Sequence, residues 1–172
     1  MPMPTYEHLL DEARARGLTV IEKYPFHSER IRGLLCDDTI ALSEQIDTEA
    51  ERTVILSEEL AHAERTVGDI LSDPRLERRV RQHNFDRLIG REGLVEAYLA
   101  GCREAWEFAD FLGVPAEFLA EAMGNYRERY GTLTTVRTKR GTFAMTFEPT
   151  LCVKRLIRAP RTRHLNRKSK EK

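Results

Sequence analysis

A short charged stretch, Glu58-Glu59-Leu60-Ala61-His62, has the spacing that a metal site on a helix requires. Residues four apart on an α-helix project from one face, a single turn apart, so Glu58 and His62 could both contact one ion. Glu59 is rotated from Glu58 by about 100° around the helix axis. This offset would let its carboxylate reach a water molecule held by the same ion instead of the ion itself.

The zinc-peptidase motif His-Glu-x-x-His uses its middle glutamate in the same way. Here Glu58 stands in the first position, where a carboxylate can still ligate zinc through oxygen at about 2.0–2.2 Å. The next predicted helix, which begins at Asp73-Pro74, offers Glu77 as a third ligand. One histidine and two carboxylates would leave a zinc position open for water, as in catalytic sites. The chemistry would be metal-assisted hydrolysis, with Glu59 transferring the proton.

Two simpler interpretations of the same stretch stay open. Glu-Glu-x-x-His on a charged helix is more often a solvated face than a metal site. Carboxylates also bind zinc less tightly than imidazoles, so another divalent ion could occupy the site. A glutamate-rich helix of purely structural role, without a metal, is the alternative to the metal site.

Local signals predict the elements that must position these residues. Thr48 and Glu51 form a capping box at the start of the helix that carries His62, and Pro74 suits the first position of the next helix. Helices are predicted over 6–17, 48–65, 73–88, 94–112 with a break at Gly101, and 115–130. A short β segment is predicted over 18–21, with hairpins over 31–42 and 132–147. The sequence therefore predicts an α+β, mostly helical single domain with a small N-terminal β-sheet and a C-terminal hairpin.

The composition narrows the class of protein. The chain has 172 residues, 41% hydrophobic and 33% charged, a length that fits one domain with its own core. No apolar run approaches the roughly 18 residues needed to span a bilayer, and the N-terminus lacks a signal-peptide pattern. Cys36, Cys102 and Cys152 are scattered without a Cys-x-x-Cys pair, which argues against a disulfide framework or a cysteine zinc site. We expect a cytoplasmic protein with no membrane partner.

Charge is distributed unevenly along the chain. Lys+Arg and Asp+Glu are 28 each, yet residues 154–172 carry nine basic residues and one acid, Glu171. That segment has a net charge of +8, and residues 1–153 have −8. We expect a folded domain over 5–153 and a flexible basic tail over 154–172. The tail could make non-specific, salt-sensitive contacts with nucleic acid, or balance the acidic body.

Several segments, taken together and in order, resemble the ImmA/IrrE family of metallopeptidases, closest to its phage and mobile-element branch. The resemblance extends over roughly residues 5–153 and excludes the basic tail. The segments that carry it are Gly33–Leu42, Ile55–His62, Thr66–Leu71, Glu77, Asp86–Gly90, Phe108–Pro115, Tyr126–Gly131 and Phe147–Pro149. This resemblance implies a zincin-like fold and a zinc endopeptidase that cleaves a regulatory protein, a helix-turn-helix repressor of a phage or mobile element.

The same resemblance assigns roles to individual residues. Glu58 takes the place of the first metal ligand, His62 the second and Glu77 the third, around one zinc or other divalent ion per chain. Glu59 takes the place of the general base. The chain departs from the main family pattern at Glu58, where histidine is usual, at Ala61, where glycine is usual, and at His83, where an aromatic residue is common. The alternative is therefore a catalytically inactive relative that binds the repressor or associates with DNA.

The segment Glu107–Pro115 resembles the turn of a helix-turn-helix motif. A recognition helix presents basic or amide side chains at its N-terminal end to bases and phosphates. The helix predicted after Pro115 carries Glu117 and Glu121 instead, which would repel phosphates. We therefore predict a packed helical hairpin, which could serve to dock the repressor.

Overall fold

A computed structural model describes residues 4–65 and 74–157, which form six helices and six strands. The helices are α1 (Tyr6–Ala15), α2 (Glu49–Arg65), α3 (Pro74–Leu88), α4 (Gly90–Ala100), α5 (Ala105–Leu112) and α6 (Ala116–Tyr130). The strands are β1 (Thr19–Tyr24), β2 (Gly33–Cys36), β3 (Thr39–Ser43), β4 (Leu133–Thr138), β5 (Gly141–Thr146) and β6 (Cys152–Leu156). The predicted α+β class with a large helical share is confirmed. The predicted helix N-cap Asp73 lies outside the described residues, as does the segment 66–71.

The N-terminal sheet has the strand order β1-β3-β2. The predicted hairpin is present, with β2 antiparallel to β3 and Cys36 paired with Thr39. Asp37 closes its turn at a φ of +50°, a left-handed conformation that aspartate tolerates better than most residues. β1 adds to the other side of β3 in parallel, which leaves β2 as an edge strand.

The C-terminal sheet contains the predicted hairpin and one strand more. β4 and β5 are antiparallel, and β6 continues the sheet with Val153 opposite Met145 and Leu156 opposite Thr142. The segment 154–156, which the charge pattern assigned to the tail, therefore belongs to the sheet. Backbone pairing does not depend on side-chain polarity, and charged side chains are common on edge strands.

Two hydrophobic clusters form the core, and α2 contributes to both. Leu56 and Leu60 pack with α1 and the N-terminal sheet. Val54 packs with the larger cluster, which is built from the helices α3 to α6 and the C-terminal sheet. Because α2 is buried on these two sides, its remaining surface is the one available for polar side chains.

A glycine lets β2 approach α2 closely. A β-carbon at Gly33 would lie 2.5 Å from Ile55 Cγ2, closer than real β-carbons come to other atoms, and 3.0 Å from Glu59 Oε1, a tight contact. Only glycine can occupy this position without moving the helix or the strand. The edge strand is thereby held against the part of α2 that carries Glu59.

The predicted helix breaks are also present. Gly101 ends α4 in a left-handed conformation with a φ of +113°, so the predicted helix over 94–112 is two helices, α4 and α5. Gly113 then separates α5 from α6. α5 and α6 are in contact with each other, and the packed helical hairpin proposed for them stays a prediction.

Candidate metal centre

The three predicted metal ligands line one cleft between α2 and α3. Glu58 and His62 lie one turn apart on α2, and Glu77 lies in the first turn of α3. Together with Arg78, Val80 and Arg81 they surround a cleft of about 360 Å³. The spacing on α2 supplies only two ligands, and the third comes from α3.

His62 and Glu77 are the pair whose distance suits a shared ion. His62 Nε2 lies 3.8 Å from Glu77 Oε2. Two ligands that are each about 2.1 Å from a zinc ion can be no more than about 4.2 Å apart, so this pair could bind the same ion. The side chain of His62 is 24% exposed and that of Glu77 is 60% exposed, so the cleft is open to solvent on the α3 side.

Glu58 is engaged by an arginine that the sequence-based interpretation did not include. The Arg81 guanidinium on α3 forms an ion pair with the Glu58 carboxylate. It also donates to Glu121 Oε2 on α6, from Nε at 3.2 Å and from Nη2 at 2.5 Å. Arg81 follows Glu77 by four residues, so its presence on the same face of α3 could have been inferred from the spacing.

The surroundings of Arg81 favour its charged form. Its guanidinium carbon lies 5.5 Å from the centre of the Phe85 ring and 5.2 Å from that of Phe118. Burial acts to lower the pKa of Arg81, but the hydrogen bond to Glu121 and the charge of Glu58 outweigh it, and the pKa is raised. A permanent positive charge therefore lies beside the first predicted ligand.

The donor set suits a divalent ion, whereas its arrangement is incomplete. One imidazole and two carboxylates are ligands that zinc accepts. Within residues 4–65 and 74–157, however, no three His, Cys, Asp or Glu side chains come together as a group that could hold an ion. The Glu58–Arg81 ion pair gives a physical reason, because the carboxylate that would complete the set is bound to a cation of the chain itself.

Glu59 occupies a different environment, between α2 and the edge strand β2. Its carboxylate accepts a hydrogen bond from the Leu35 backbone amide. Burial, and then the negative charge of Glu58, raise the pKa of Glu59 to about 7, against an opposing effect of the Leu35 hydrogen bond. A carboxyl group with a pKa near neutrality is suited to accept and return a proton.

Two other features lie apart from this centre. His83 lines a different cleft with Asp86 and Arg129, so it does not border the predicted ligands. A larger cleft, of about 1050 Å³, is lined by the starts of α1 and α2, by α4 and α5, and by the β4–β5 turn. None of the four predicted site residues lines it, and its described lining contains no histidine or cysteine. The three predicted metal ligands therefore line the smaller cleft and not this one.

In the parts of the chain that the structure describes, no helix is both long and apolar enough to cross a membrane.

We compared the chain with protein-family models, with curated proteins and with solved structures, and none of the three comparisons finds a match.

Proposed function

We propose that this protein is a metal-dependent endopeptidase in which Glu58, His62 and Glu77 hold one zinc or other divalent ion and Glu59 is the general base. The observation that carries the proposal is the convergence of the three ligands from α2 and α3 on one cleft, with His62 and Glu77 3.8 Å apart. The spacing on α2 predicts only that Glu58 and His62 share a face, so the approach of Glu77 depends on how the two helices pack.

In the proposed reaction the ion and the chain would have different roles. A bound divalent ion would polarise a peptide carbonyl and make water more acidic. The Glu59 carboxylate would accept a proton from the attacking water and return that proton to the leaving amine. The raised pKa of Glu59, about 7, supports this role because the group exchanges protons readily near neutral pH.

The edge strand β2 supports an extended substrate. Within residues 4–65 and 74–157 it pairs with β3 on one side only, and its Leu35 amide donates to Glu59. An extended peptide that adds to the free edge would run past the proposed base. Leu34 on this strand is 47% exposed and could contact apolar side chains of the substrate. A sheet with its edge strand beside the proposed active-site helix is the arrangement that favours a zincin-like fold.

The substrate class rests on the resemblance to the ImmA/IrrE family. That resemblance favours a DNA-binding repressor of the helix-turn-helix type as the protein that is cleaved, in the cytoplasm where such repressors act. The contacting helices α5 and α6 offer a surface on which the repressor could dock. The basic residues beyond Ile157 lie outside the described residues, and we assign them non-specific contacts with nucleic acid.

The decisive experiment measures zinc content and cleavage together. The chain is prepared without chelator, reconstituted with zinc, analysed by plasma mass spectrometry and incubated with a labelled helix-turn-helix repressor. We expect about one zinc per chain, loss of zinc in His62→Ala, and bound zinc without cleavage in Glu59→Gln. Glu64→Gln, a change at an exposed position of the same helix, is the matched control and should keep both properties. If the Glu59→Gln variant cleaved the repressor as well as the unmodified chain does, the assignment of the base would be contradicted.

A catalytically inactive, repressor-binding protein is the second candidate. The observation that favours it is the Glu58–Arg81 ion pair, since this pair satisfies Glu58 without a metal. Stoichiometric binding of the repressor by the Glu59→Gln variant, with repression relieved to the same extent as by the unmodified chain, would support this candidate. Relief of repression that requires Glu59 and exceeds one repressor per chain would exclude it.

A further inference from the structure

We infer that Arg81 competes with the metal ion for Glu58. In the structure the guanidinium is shared between Glu58 and Glu121, and with a metal ion bound to Glu58 it would be held by Glu121 alone. This inference rests on the proposed function, because it concerns access of an ion to the proposed ligands. Arg81, which is not one of the proposed ligands, would therefore lower the affinity of the site for the ion.

The position of Arg81 makes the competition direct. Its guanidinium binds the Glu58 carboxylate and lines the same cleft as His62 and Glu77. A carboxylate that accepts hydrogen bonds from a guanidinium has fewer lone pairs free for an ion, and the positive charge of Arg81 would repel a cation at that place. Tight metal binding therefore requires Glu58 to leave Arg81.

A second carboxylate makes that exchange feasible. Arg81 already donates to Glu121 through two nitrogens, at 2.5 and 3.2 Å. The rings of Phe85 and Phe118 lie within 5.5 Å of the guanidinium carbon and attract its charge whether or not Glu58 is bound. The loss of Glu58 consequently leaves Arg81 paired, so no uncompensated charge results.

The three charged residues belong to three different helices, which makes the competition adjustable. Glu58 lies on α2, Arg81 on α3 and Glu121 on α6. Both carboxylates bind the same guanidinium, so loss of the Glu121 charge should strengthen the Glu58 pair, and loss of Arg81 should release Glu58. Substitutions at Arg81 and at Glu121 should thus change metal affinity in opposite directions.

The test measures the zinc dissociation constant of the full chain by competition with a chromogenic chelator. We expect Arg81→Gln to bind zinc at least tenfold more tightly than the unmodified chain, and Glu121→Gln to bind it severalfold more weakly. Arg79→Gln is the matched control for Arg81, since it removes a positive charge from an exposed position of the same helix that lines the separate cleft of His83. Glu117→Gln, one turn earlier on α6 and also exposed, is the matched control for Glu121. Both controls should stay within about twofold of the unmodified chain.

The outcomes separate this inference from the proposed function. Equal zinc affinity in the unmodified chain, Arg81→Gln and Arg79→Gln would overturn the inference and leave the metal site intact. Absence of zinc from every variant, Arg81→Gln included, would overturn the proposed metal site itself. Zinc bound by Arg81→Gln but not by the unmodified chain would support the inference in its strongest form. If circular dichroism shows that Arg81→Gln does not fold, the comparison of Glu121→Gln with Glu117→Gln decides, and equal affinities of those two overturn the inference.

Discussion

Gly33 on β2 and Glu59 on α2 are in such close contact that a β-carbon on the glycine would lie 3.0 Å from the carboxylate oxygen Oε1. The same β-carbon would lie 2.5 Å from Ile55 Cγ2. The burial of Glu59, which raises its pKa, therefore depends on a strand position that has no side chain. The position of the proposed base therefore depends on the contact between β2 and α2 as well as on the helix itself.

Gly33→Ala should displace β2 from α2 and lower stability by roughly 1–3 kcal/mol, the usual cost of forcing a methyl group into a packed contact. Gly124→Ala is the matched control, because a β-carbon there meets nothing within 4 Å on an exposed face of α6. That substitution should leave stability unchanged or raise it by up to about 1 kcal/mol, since alanine is the better helix former. Urea denaturation of both variants measures the difference, and a Gly33→Ala variant as stable as Gly124→Ala would contradict the contact.

The metal-free chain should lose stability as the pH rises from about 4.5 to about 7. The pKa of Glu59 is raised from its ordinary 4.5 to about 7, so over this range the folded chain binds more protons than the unfolded chain. Protonation of Glu59 thus favours the folded state below pH 4.5, and this advantage is gone above pH 7. The whole effect corresponds to about 3 kcal/mol.

Glu59→Gln isolates that contribution. Glutamine does not ionise, so the variant should lack this part of the pH dependence and should be more stable than the unmodified chain at pH 8. Urea midpoints in the presence of EDTA at pH 5 and pH 8 measure both proteins. An identical loss of stability between these two pH values in the variant would show that another group is responsible.

Tyr126→Phe should destabilise the junction of α3, α4 and α6 by about 1–3 kcal/mol. The fully buried Tyr126 hydroxyl donates to the Phe85 carbonyl at 2.9 Å and accepts from the Gly90 amide at 3.1 Å. Its removal leaves two backbone groups without that partner in the interior. Tyr130→Phe, one turn later on α6, is the control and should cost less because Tyr130 is only partly buried. Thermal unfolding that ranks the two variants in the reverse order would contradict this expectation.

Two truncations should behave differently at the C-terminus. Removal of residues 158–172 keeps β6 complete and should leave the melting temperature unchanged, while it reduces any salt-sensitive binding to DNA. Removal of 154–172 also deletes three of the five β6 residues that pair with β5, together with the Arg155 hydrogen bond to the Arg140 carbonyl at 2.5 Å. We expect this second truncation to lower the melting temperature by roughly 3–6 °C. Scanning calorimetry of both chains checks the boundary, which would be wrong if the two melted alike.

Local signals in the sequence determined the helices and hairpins and the grouping of the candidate residues. The capping pair of Thr48 and Glu51 set the start of α2, where the Glu51 amide donates to Thr48 Oγ1 at 3.2 Å. From that start, helical geometry alone puts Glu58 and His62 on one face. Spacing and turn chemistry were sufficient because these features involve residues only a few positions apart.

Contacts between distant residues were decided only by the tertiary structure. Arg81 binds Glu58 across 23 positions of the chain, and Gly33 meets Glu59 across the strand–helix contact. The third strand of the C-terminal sheet likewise depends on backbone pairing of Lys154 with Ala144. The charged side chain of Lys154 does not predict this pairing. Periodicity describes which side of an element is polar, whereas the partner that meets that side depends on how the elements pack. For this protein, packing decided that the first predicted metal ligand faces a cation of its own chain.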